Sequence, residues 1–372
     1  MKKIVFLSFA ALCIICLNSC FSPWKDDEGI LLINFGVSGR SFVNLESGEF
    51  RNFTNTVILK STNGNRIERT FSGTAGAVSV PPGVYTVSIK ASDNSGVRAF
   101  GIHNNTVTIR AGQNVSAGLI MYSAVEVTNE NELSAALELL YNGQVVNSNA
   151  ARHLYVLVGK SFSSEDYFFI DGRVTLVSET DVVINLINDS DCFFSIEGFL
   201  SLGAEYMPGT ITIKGNREMG APLFSVHGTL RMYEGVTIQD NGGSAVKVRD
   251  EAAFYMYGGK ISGNTTDDNG GGVYVDEGGT FNMYGGEISG NTANEKGGGV
   301  YIDNANFSKT GGIIYGNDGG SNSNWANASS GTGPGHAVYV DGYNNGLFRN
   351  STAGNNINLY FIDGQPRGDW ED

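Results

Sequence analysis

The sequence predicts an all-β protein in which a small β-sandwich precedes a right-handed parallel β-helix. Glycine supplies 51 of the 372 residues and only 17% are charged, which favours many tight turns over long helices. Short apolar runs alternate with turn residues through the first third of the chain. The C-terminal half repeats one order of apolar and glycine positions about every 27 residues, a period typical of solenoids.

The N-terminus reads as an export signal followed by a lipid anchor. Two lysines precede an apolar stretch that ends at Leu17, which suits a signal-peptide core and is too short to span a bilayer. Residues 17–20, Leu-Asn-Ser-Cys, resemble the lipobox of bacterial lipoproteins. The resemblance implies removal of residues 1–19, acylation of Cys20 and a tether over residues 20–29, on a protein exposed at the outer membrane. An unlipidated secreted protein is the alternative.

The charge excludes one class of partner. The formal net charge is −14 and the sequence contains no run of basic residues. Because phosphate backbones are bound by concentrated Lys and Arg, nucleic acid is not an expected partner.

Residues 30–123 are predicted to form the β-sandwich, of immunoglobulin or prealbumin type. Their alternating and apolar runs predict six strands, and Asn-Gly-Asn at residues 63–65 indicates a hairpin turn. Residues 80–87, Val-Pro-Pro-Gly-Val-Tyr-Thr-Val, resemble a strand of prealbumin-like and carboxypeptidase-regulatory-like modules. That resemblance implies a spacer or adhesive unit.

Residues 124–364 are predicted to form the β-helix, which begins with a capping helix. Asn129 can cap that helix and Glu132, three residues later, completes a capping box ahead of an apolar run. A parallel β-helix exposes the apolar end of its first coil, so an amphipathic helix at this point is expected to cover it.

The repeats align in register without adjustment. The three clearest copies begin at Phe254, Phe281 and Phe307 and continue with Gly-Gly-x-Ile and Gly-Asn. A Val-Tyr step follows, and in the last copy a Gly-, Ser- and Asn-rich insertion at about residues 318–335 delays it. Period-two alternation predicts that Phe254 and Met256 point inward beneath their counterparts one coil later, and a degenerate copy starts at Phe199. An asparagine ladder is predicted at one turn, from Asn241, Asn264, Asn291 and Asn317.

These repeats resemble pectin-lyase-like right-handed β-helices over roughly residues 127–364. Their Gly-Gly-x-Ile and Gly-Gly-Gly-Val-Tyr elements are similar to repeats of polymorphic outer-membrane proteins and of spirochaete-type surface lipoproteins. The Phe-x-x-Asn tetrapeptide of the former is missing. The resemblance implies a surface adhesin or a protein without an assigned role, whereas pectinolytic members cleave acidic polysaccharides.

The enzyme alternative, a polysaccharide lyase or hydrolase, lacks its motifs in this sequence. Glycosidases of this fold need clustered carboxylates. Residues 264–268, Asn-Thr-Thr-Asp-Asp, echo two polygalacturonase motifs compressed into one loop, and the Gly-His-Gly and Arg-Ile-Lys motifs do not occur. The four histidines are scattered without metal-ligand spacing. We therefore predict no catalytic residues.

Two outward tyrosine columns are the candidate ligand-binding residues. Aromatic rings about 5 Å apart on a rigid surface suit the stacking of sugar rings or packing against a host protein. The alternative is that tyrosine favours strands and ladders with itself. The columns consist of Tyr233, Tyr257 and Tyr284, and of Tyr274, Tyr301 and Tyr339.

An aspartate ladder follows the second column. Asp276, Asp303 and Asp341 would repel one another when stacked, unless they are separated or a cation such as calcium bridges them. Turn-starting aspartates that bind no metal are the alternative reading.

The C-terminal tail, residues 365–372, contains Arg367, Gly368 and Asp369. This tripeptide is the recognition motif of integrin ligands, in which the Arg meets an acidic pocket and the Asp completes a metal site. It is also short enough to occur by chance. Taken together, the sequence predicts a lipid-anchored surface adhesin or binding scaffold for glycans or host proteins, with a polysaccharide-active enzyme or a structural envelope component as alternatives.

Overall fold

A computed structural model describes residues 28–35, 53–73, 75–141, 153–187, 192–218, 220–317, 320–327, 335–342, 347–349, 359–362 and 365–367. The predicted signal peptide, the lipidation site Cys20, and Gly368 and Asp369 lie outside these residues. The described chain is all-β apart from one helix, as predicted.

The N-terminal strands form two sheets around a shared core. The first sheet has the order β4-β1-β8, and the second is antiparallel with the order β3-β2-β5-β6 and with β7 beside β5. Leu31, Val57 and Ile89 are among the side chains buried between them. The strands are β1 (Gly29–Phe35), β2 (Thr54–Ser61), β3 (Arg66–Ser72), β4 (Ala75–Val80), β5 (Gly83–Asp93), β6 (Gly96–Ile102), β7 (Val107–Ile109), β8 (Asn114–Leu119) and β9 (Tyr122–Val127).

The second sheet continues without a break into the C-terminal half. Strand β9 pairs antiparallel with β6 on one side and parallel with the first solenoid strand, β10 (His153–Val158), on the other. The junction is also held by charge, because Glu179 of the solenoid accepts from Lys90 at 2.9 Å and lies 3.6 Å from Arg66. The predicted boundary at residues 123 and 124 falls inside β9.

Helix α1 (Glu130–Tyr141) covers the first coil, as predicted. The Asn129 side chain accepts the Glu132 backbone N–H at 3.1 Å, while the Glu132 carboxylate accepts the backbone N–H of Thr128 at 2.6 Å. These bonds to Thr128 hold the pKa of Glu132 below its usual value. Leu133, Leu137 and Leu140 then join the solenoid core and keep it from water.

The described residues between 153 and 341 form a β-solenoid of about six turns with three faces of parallel strands. Face 1 consists of β10, β13 (Arg173–Val177), β16 (Phe199–Leu202), β19 (Thr229–Met232), β22 (Ala253–Met256), β26 (Thr280–Met283) and β30 (Asn306–Lys309). Face 2 consists of β11 (Phe162–Ser164), β14 (Val182–Leu186), β17 (Ile211–Lys214), β20 (Val236–Gln239), β23 (Lys260–Ser262), β27 (Glu287–Ser289) and β31 (Ile313–Ile314). Face 3 consists of β12 (Phe168–Ile170), β15 (Phe194–Ile196), β18 (Phe224–Val226), β21 (Val246–Val248), β25 (Val273–Val275), β29 (Val300–Asp303) and β33 (Val338–Asp341). At one corner, β24 (Thr265–Thr266), β28 (Thr292–Ala293) and β32 (Trp325–Ala326) form a further short sheet.

Identical residues stack along the solenoid core, as the repeat predicts. Phe254 pairs in register with Phe281, and Phe281 with Phe307, with ring centroids 4.9 and 5.4 Å apart. All three rings are buried. The degenerate copy is out by one residue: Leu200, not Phe199, occupies the inward position below Leu230. A shift of one residue turns Phe199 outward.

The asparagine ladder is confirmed at three of its four predicted positions. The Asn264 side chain donates to Asn291 Oδ1 at 2.9 Å, and the Asn291 side chain donates to Asn324 Oδ1 at 3.1 Å. Asn241, Asn264, Asn291 and Asn324 are all fully buried. The prediction of Asn317 as the last member is wrong, because the insertion moves Asn324 into that place.

Short antiparallel strands end the solenoid. Strand β34 (Leu347–Arg349) pairs with β33, while β35 (Leu359–Ile362) pairs with β30 and with β36 (Gln365–Arg367). They cover the last edges of faces 3 and 1. Arg367 of the predicted adhesion tripeptide therefore belongs to a strand rather than to an irregular tail.

Candidate ligand-binding face

The outer side of face 1 carries a continuous group of aromatic and arginine side chains. Alternate residues of each face 1 strand point away from the core, and parallel register places those of successive coils side by side. We call this group the aromatic–arginine surface. It consists of Tyr122, His153, Tyr155, Arg173, Phe199, Arg231, Tyr233, Tyr255, Tyr257 and Tyr284.

The first predicted tyrosine column forms one end of this surface. Tyr233 stacks on Tyr257 with ring centroids 5.0 Å apart, and Tyr257 on Tyr284 at 5.1 Å. Tyr257 and Tyr284 are 39% and 46% exposed. Because the rings cover one another, a ligand beside the column meets ring edges and hydroxyl groups rather than the ring faces that the sequence suggested. Only the end rings have an outer face to offer.

Two arginines flank the ring of Phe199 in the middle of the surface. The guanidinium carbons of Arg173 and Arg231 lie 4.4 and 5.0 Å from its centroid, and Arg231 also lies 5.7 Å from the ring of Tyr255. Within the described part of the chain, neither arginine has a carboxylate within 4.0 Å. Their Nε atoms are buried without a hydrogen-bond partner among the same residues. The positive charge of both guanidinium groups is thus not neutralised by a described carboxylate, and both side chains line surface cavities.

The other end of the surface is a half-buried aromatic cluster. The rings of Tyr122 and Tyr155 stack at 4.9 Å, and His153 lies 5.2 and 5.0 Å from them. The His153 ring bonds to Thr175 Oγ1 at 2.9 Å. Burial, reinforced by the positive charge of Arg173, lowers the pKa of His153 to about 4, so the ring is neutral at pH 7. Burial also raises the pKa of Tyr155, which therefore keeps its hydroxyl proton.

A cavity of about 240 Å³ lies over this end of the surface. Its lining joins the two halves of the molecule, because Ile102, Asn104 and Ile120 of the N-terminal sheets face residues of the solenoid across it. A shallower depression continues from it along Arg173, Phe199 and Arg231 to Tyr255. The two form one groove that runs toward the tyrosine column.

Comparison with family models, with curated proteins and with solved structures gave no match. In the part of the chain that the structure describes, no helix is long and apolar enough to cross a membrane.

Sequence reasoning found the tyrosine column but missed the arginines. The column lies in well-repeated coils, whereas Arg173, Phe199 and Arg231 lie in degenerate ones. A signal for Arg231 was present, because it stands between Leu230 and Met232, two inward positions of a recognised copy. Alternation alone would have turned Arg231 outward.

The second tyrosine column is not open to a ligand. Tyr274, Tyr301 and Tyr339 point away from the core and stack at 5.0 and 5.7 Å, but Tyr301 and Tyr339 are only 5% and 4% exposed. Loops at Gly297 and Gly335 close over them, so near that an added Cβ would lie 2.8 and 2.6 Å from the tyrosine Cβ atoms. The prediction of an accessible second column is therefore wrong for these two residues.

The predicted aspartate ladder exists, and two of its members lie beside cationic side chains. Asp276 lies 3.6 Å from Lys247 and 3.3 Å from Arg249, and Asp341 lies 3.7 Å from Lys296. Among the described residues, no group of three His, Cys, Asp or Glu side chains is placed to hold a metal ion. The geometry therefore gives the calcium prediction no support.

Asp303 lies between Asp276 and Asp341 in the ladder, and their negative charges repel its carboxylate. Burial raises its pKa, and the neighbouring carboxylates of Asp341 and Asp276 raise it further. The native state therefore holds the Asp303 proton more tightly than the unfolded chain, and stability falls as the pH rises through the unfolded value of 3.8 toward the native one. We expect Asp303→Asn to stabilise the protein at pH 7 by about 0.5 kcal/mol in urea unfolding.

The matched control is Asp276→Asn in the same column. It removes a carboxylate that is paired with two cations, so it should lower stability at pH 7 slightly. The gain from Asp303→Asn should shrink below pH 3.8, where aspartate is protonated in both states. A gain that persists there would show that charge is not its cause.

In the loop that resembles polygalacturonase motifs, Asn264 and Asp267 bond to other asparagines of the solenoid. Asn264 is fully buried in the asparagine ladder, and Asp267 accepts a hydrogen bond from Asn294 at 2.7 Å. Asn264 is thus not presented to a substrate.

Proposed function

We propose that this chain is a non-enzymatic, lipid-anchored protein of the cell envelope that binds glycans of a host or neighbouring surface, as an adhesin does. The observation that carries the proposal is the tyrosine column Tyr233–Tyr257–Tyr284, exposed at its last two rings and continuous with a groove lined by arginines and aromatic rings. Aromatic rings beside polar and cationic groups are the usual lining of sugar sites. The same chemistry would also fit a host protein.

The anchor and the architecture extend this proposal. The Leu-Asn-Ser-Cys sequence at residues 17–20 supports acylation of Cys20 and display at the outer membrane. We further propose that the two N-terminal sheets are a β-sandwich spacer and that the solenoid winds to the right, as pectin-lyase-like β-helices do. Cys20→Ser should abolish incorporation of a labelled fatty acid into the protein by the cells that produce it, and continued labelling would argue against the anchor.

The binding proposal is tested with the purified protein on a panel of neutral and acidic oligosaccharides. We expect Tyr257→Ala to weaken binding about tenfold, because the ring presents its edge and hydroxyl group to the ligand and holds both neighbouring rings in the stack. Calorimetric titration of the native protein and the variant measures the change.

Tyr167→Ala is the matched control. Tyr167 is 48% exposed, comparable to Tyr257, but it lies next to face 3, away from the aromatic–arginine surface. Its removal should leave affinity unchanged. Equal losses in the two variants, or no binding to any glycan, would contradict the proposal.

A further inference from the structure

The two arginines that flank Phe199 are positively charged groups without a described carboxylate partner. A buried N–H group without an acceptor costs free energy, and both Arg173 and Arg231 hold such a group at Nε. Their aromatic contacts fix the guanidinium planes, so little side-chain freedom is lost when a ligand binds. A planar guanidinium binds an oxyanion through two parallel hydrogen bonds. Because both guanidinium groups line the cavity and no described carboxylate neutralises them, an anion that contacts their outer nitrogens suits this site.

The surroundings limit how much negative charge that partner carries. Glu205 lines the same cavity, and the protein as a whole has a net charge of −14. A polyanion would be repelled along most of the surface, whereas a single acidic group between the arginines would not. His153, Thr175 and Ser201 also line the cavity, but they bond within the protein: His153 to Thr175, and the Ser201 hydroxyl to the Gly203 carbonyl.

The position of the cavity limits where in the ligand that acidic group lies. A glycan that follows the tyrosine column from Tyr284 toward Tyr233 reaches the arginines and then meets Ile102 and Ile120 of the N-terminal sheets. The cavity volume of about 240 Å³ suits one sugar unit. On this path the unit that occupies the cavity is the last one before the wall that Ile102 and Ile120 form.

We propose that Arg173 and Arg231 bind the oxyanion, a carboxylate or a sulfate, of an acidic sugar at the end of an otherwise neutral glycan. This inference rests on the proposed glycan-binding function and adds to it the charge and the position of the recognised unit. The tyrosine column contacts the neutral units that follow.

The test compares oligosaccharides of equal length by calorimetric titration of the full chain. One set ends in a carboxylated sugar, one ends in a sulfated sugar, one carries its acidic unit internally and one is neutral. We expect at least one of the two acid-terminated ligands to bind about tenfold or more tightly than the neutral one at low salt, and the internal acid to give no advantage. The stronger of the two terminal ligands identifies the oxyanion.

Variants separate this inference from the proposed function. Arg231→Gln should abolish the preference for the acidic end, while Arg231→Lys keeps the charge and the chain packing and should restore part of it. Arg217→Gln is the control, because Arg217 is 66% exposed and pairs with Asp240 elsewhere on the surface. Should Arg231→Gln lower the melting temperature, the lysine variant and the salt dependence of the preference still decide the outcome.

Failure of the acidic-end inference and failure of the glycan-binding function give different results in these experiments. Equal binding of neutral and acidic ligands, still weakened by Tyr257→Ala, would overturn the acidic-end inference and leave the glycan-binding function standing. A preference that survives in Arg231→Gln, or an internal acid as good as a terminal one, would also overturn it. Absence of binding to every ligand would remove the function and this inference with it.

Discussion

Phe281→Ala is expected to lower the free energy of unfolding by about 3–5 kcal/mol. Phe281 is completely buried and stacks between Phe254 and Phe307, at 4.9 and 5.4 Å. Each coil of a solenoid contacts only the coils on either side, so a cavity at Phe281 weakens both of its interfaces at once. Urea unfolding followed by circular dichroism measures the loss.

The next residue on the same strand provides the control. Asn282 points outward from face 1, so Asn282→Ala removes no core volume and should change stability by less than about 0.5 kcal/mol. Similar losses in the two variants would mean that strand pairing, and not the stacked core, holds the coil together.

The well-repeated coils could be predicted in detail because their repeat is strict. A spacing of 27 residues between Phe254 and Phe281 fixes both the coil length and the inward face, and the register found for β22 and β26 is the predicted one. Where the spacing between copies varies, the strand register can no longer be predicted from the sequence. The Asn291 to Asn324 step spans 33 residues, so the sequence indicated Asn317 as the next ladder member.

The candidate site could be predicted only in its repeated half. Tyr257 and Tyr284 occupy equivalent positions of two matching coils, and that repetition predicts the column. Arg173 and Arg231 have no repeated counterpart, and they become a pair only because Phe199, turned outward by a one-residue shift, lies between them. A pair of this kind depends on three-dimensional register, which the degenerate coils do not reveal.

The cavity could not be predicted because it depends on the junction of the two halves. Strand β9 reaches β10 across helix α1, and the parallel pairing of these strands has no sequence signal of its own. That pairing continues the N-terminal sheet onto face 1 and brings Ile102 and Ile120 to the groove. Ile102 and Ile120, which close one side of the groove, thus belong to the N-terminal half and not to the repeats.

Asn291→Ala is expected to cost about 3–5 kcal/mol, although it removes fewer atoms than Phe281→Ala. The Asn291 side chain accepts from the backbone N–H and the side chain of Asn264, at 3.1 and 2.9 Å, and donates to the Ile261 carbonyl at 3.0 Å and to Asn324 at 3.1 Å. Alanine leaves these groups buried and unsatisfied, and each such group costs about 1–3 kcal/mol.

The control for this variant is Asn294→Ala, which removes one exposed hydrogen bond to Asp267 and should change stability by less than about 0.5 kcal/mol. The ladder variant should also reduce cooperativity, since nearest-neighbour contacts alone couple the coils of a solenoid. We expect the unfolding curve of Asn291→Ala to broaden, because the coils before and after residue 291 then separate more readily. A small loss with an unchanged slope would mean that water replaces the missing amide, and that the ladder contributes register rather than stability.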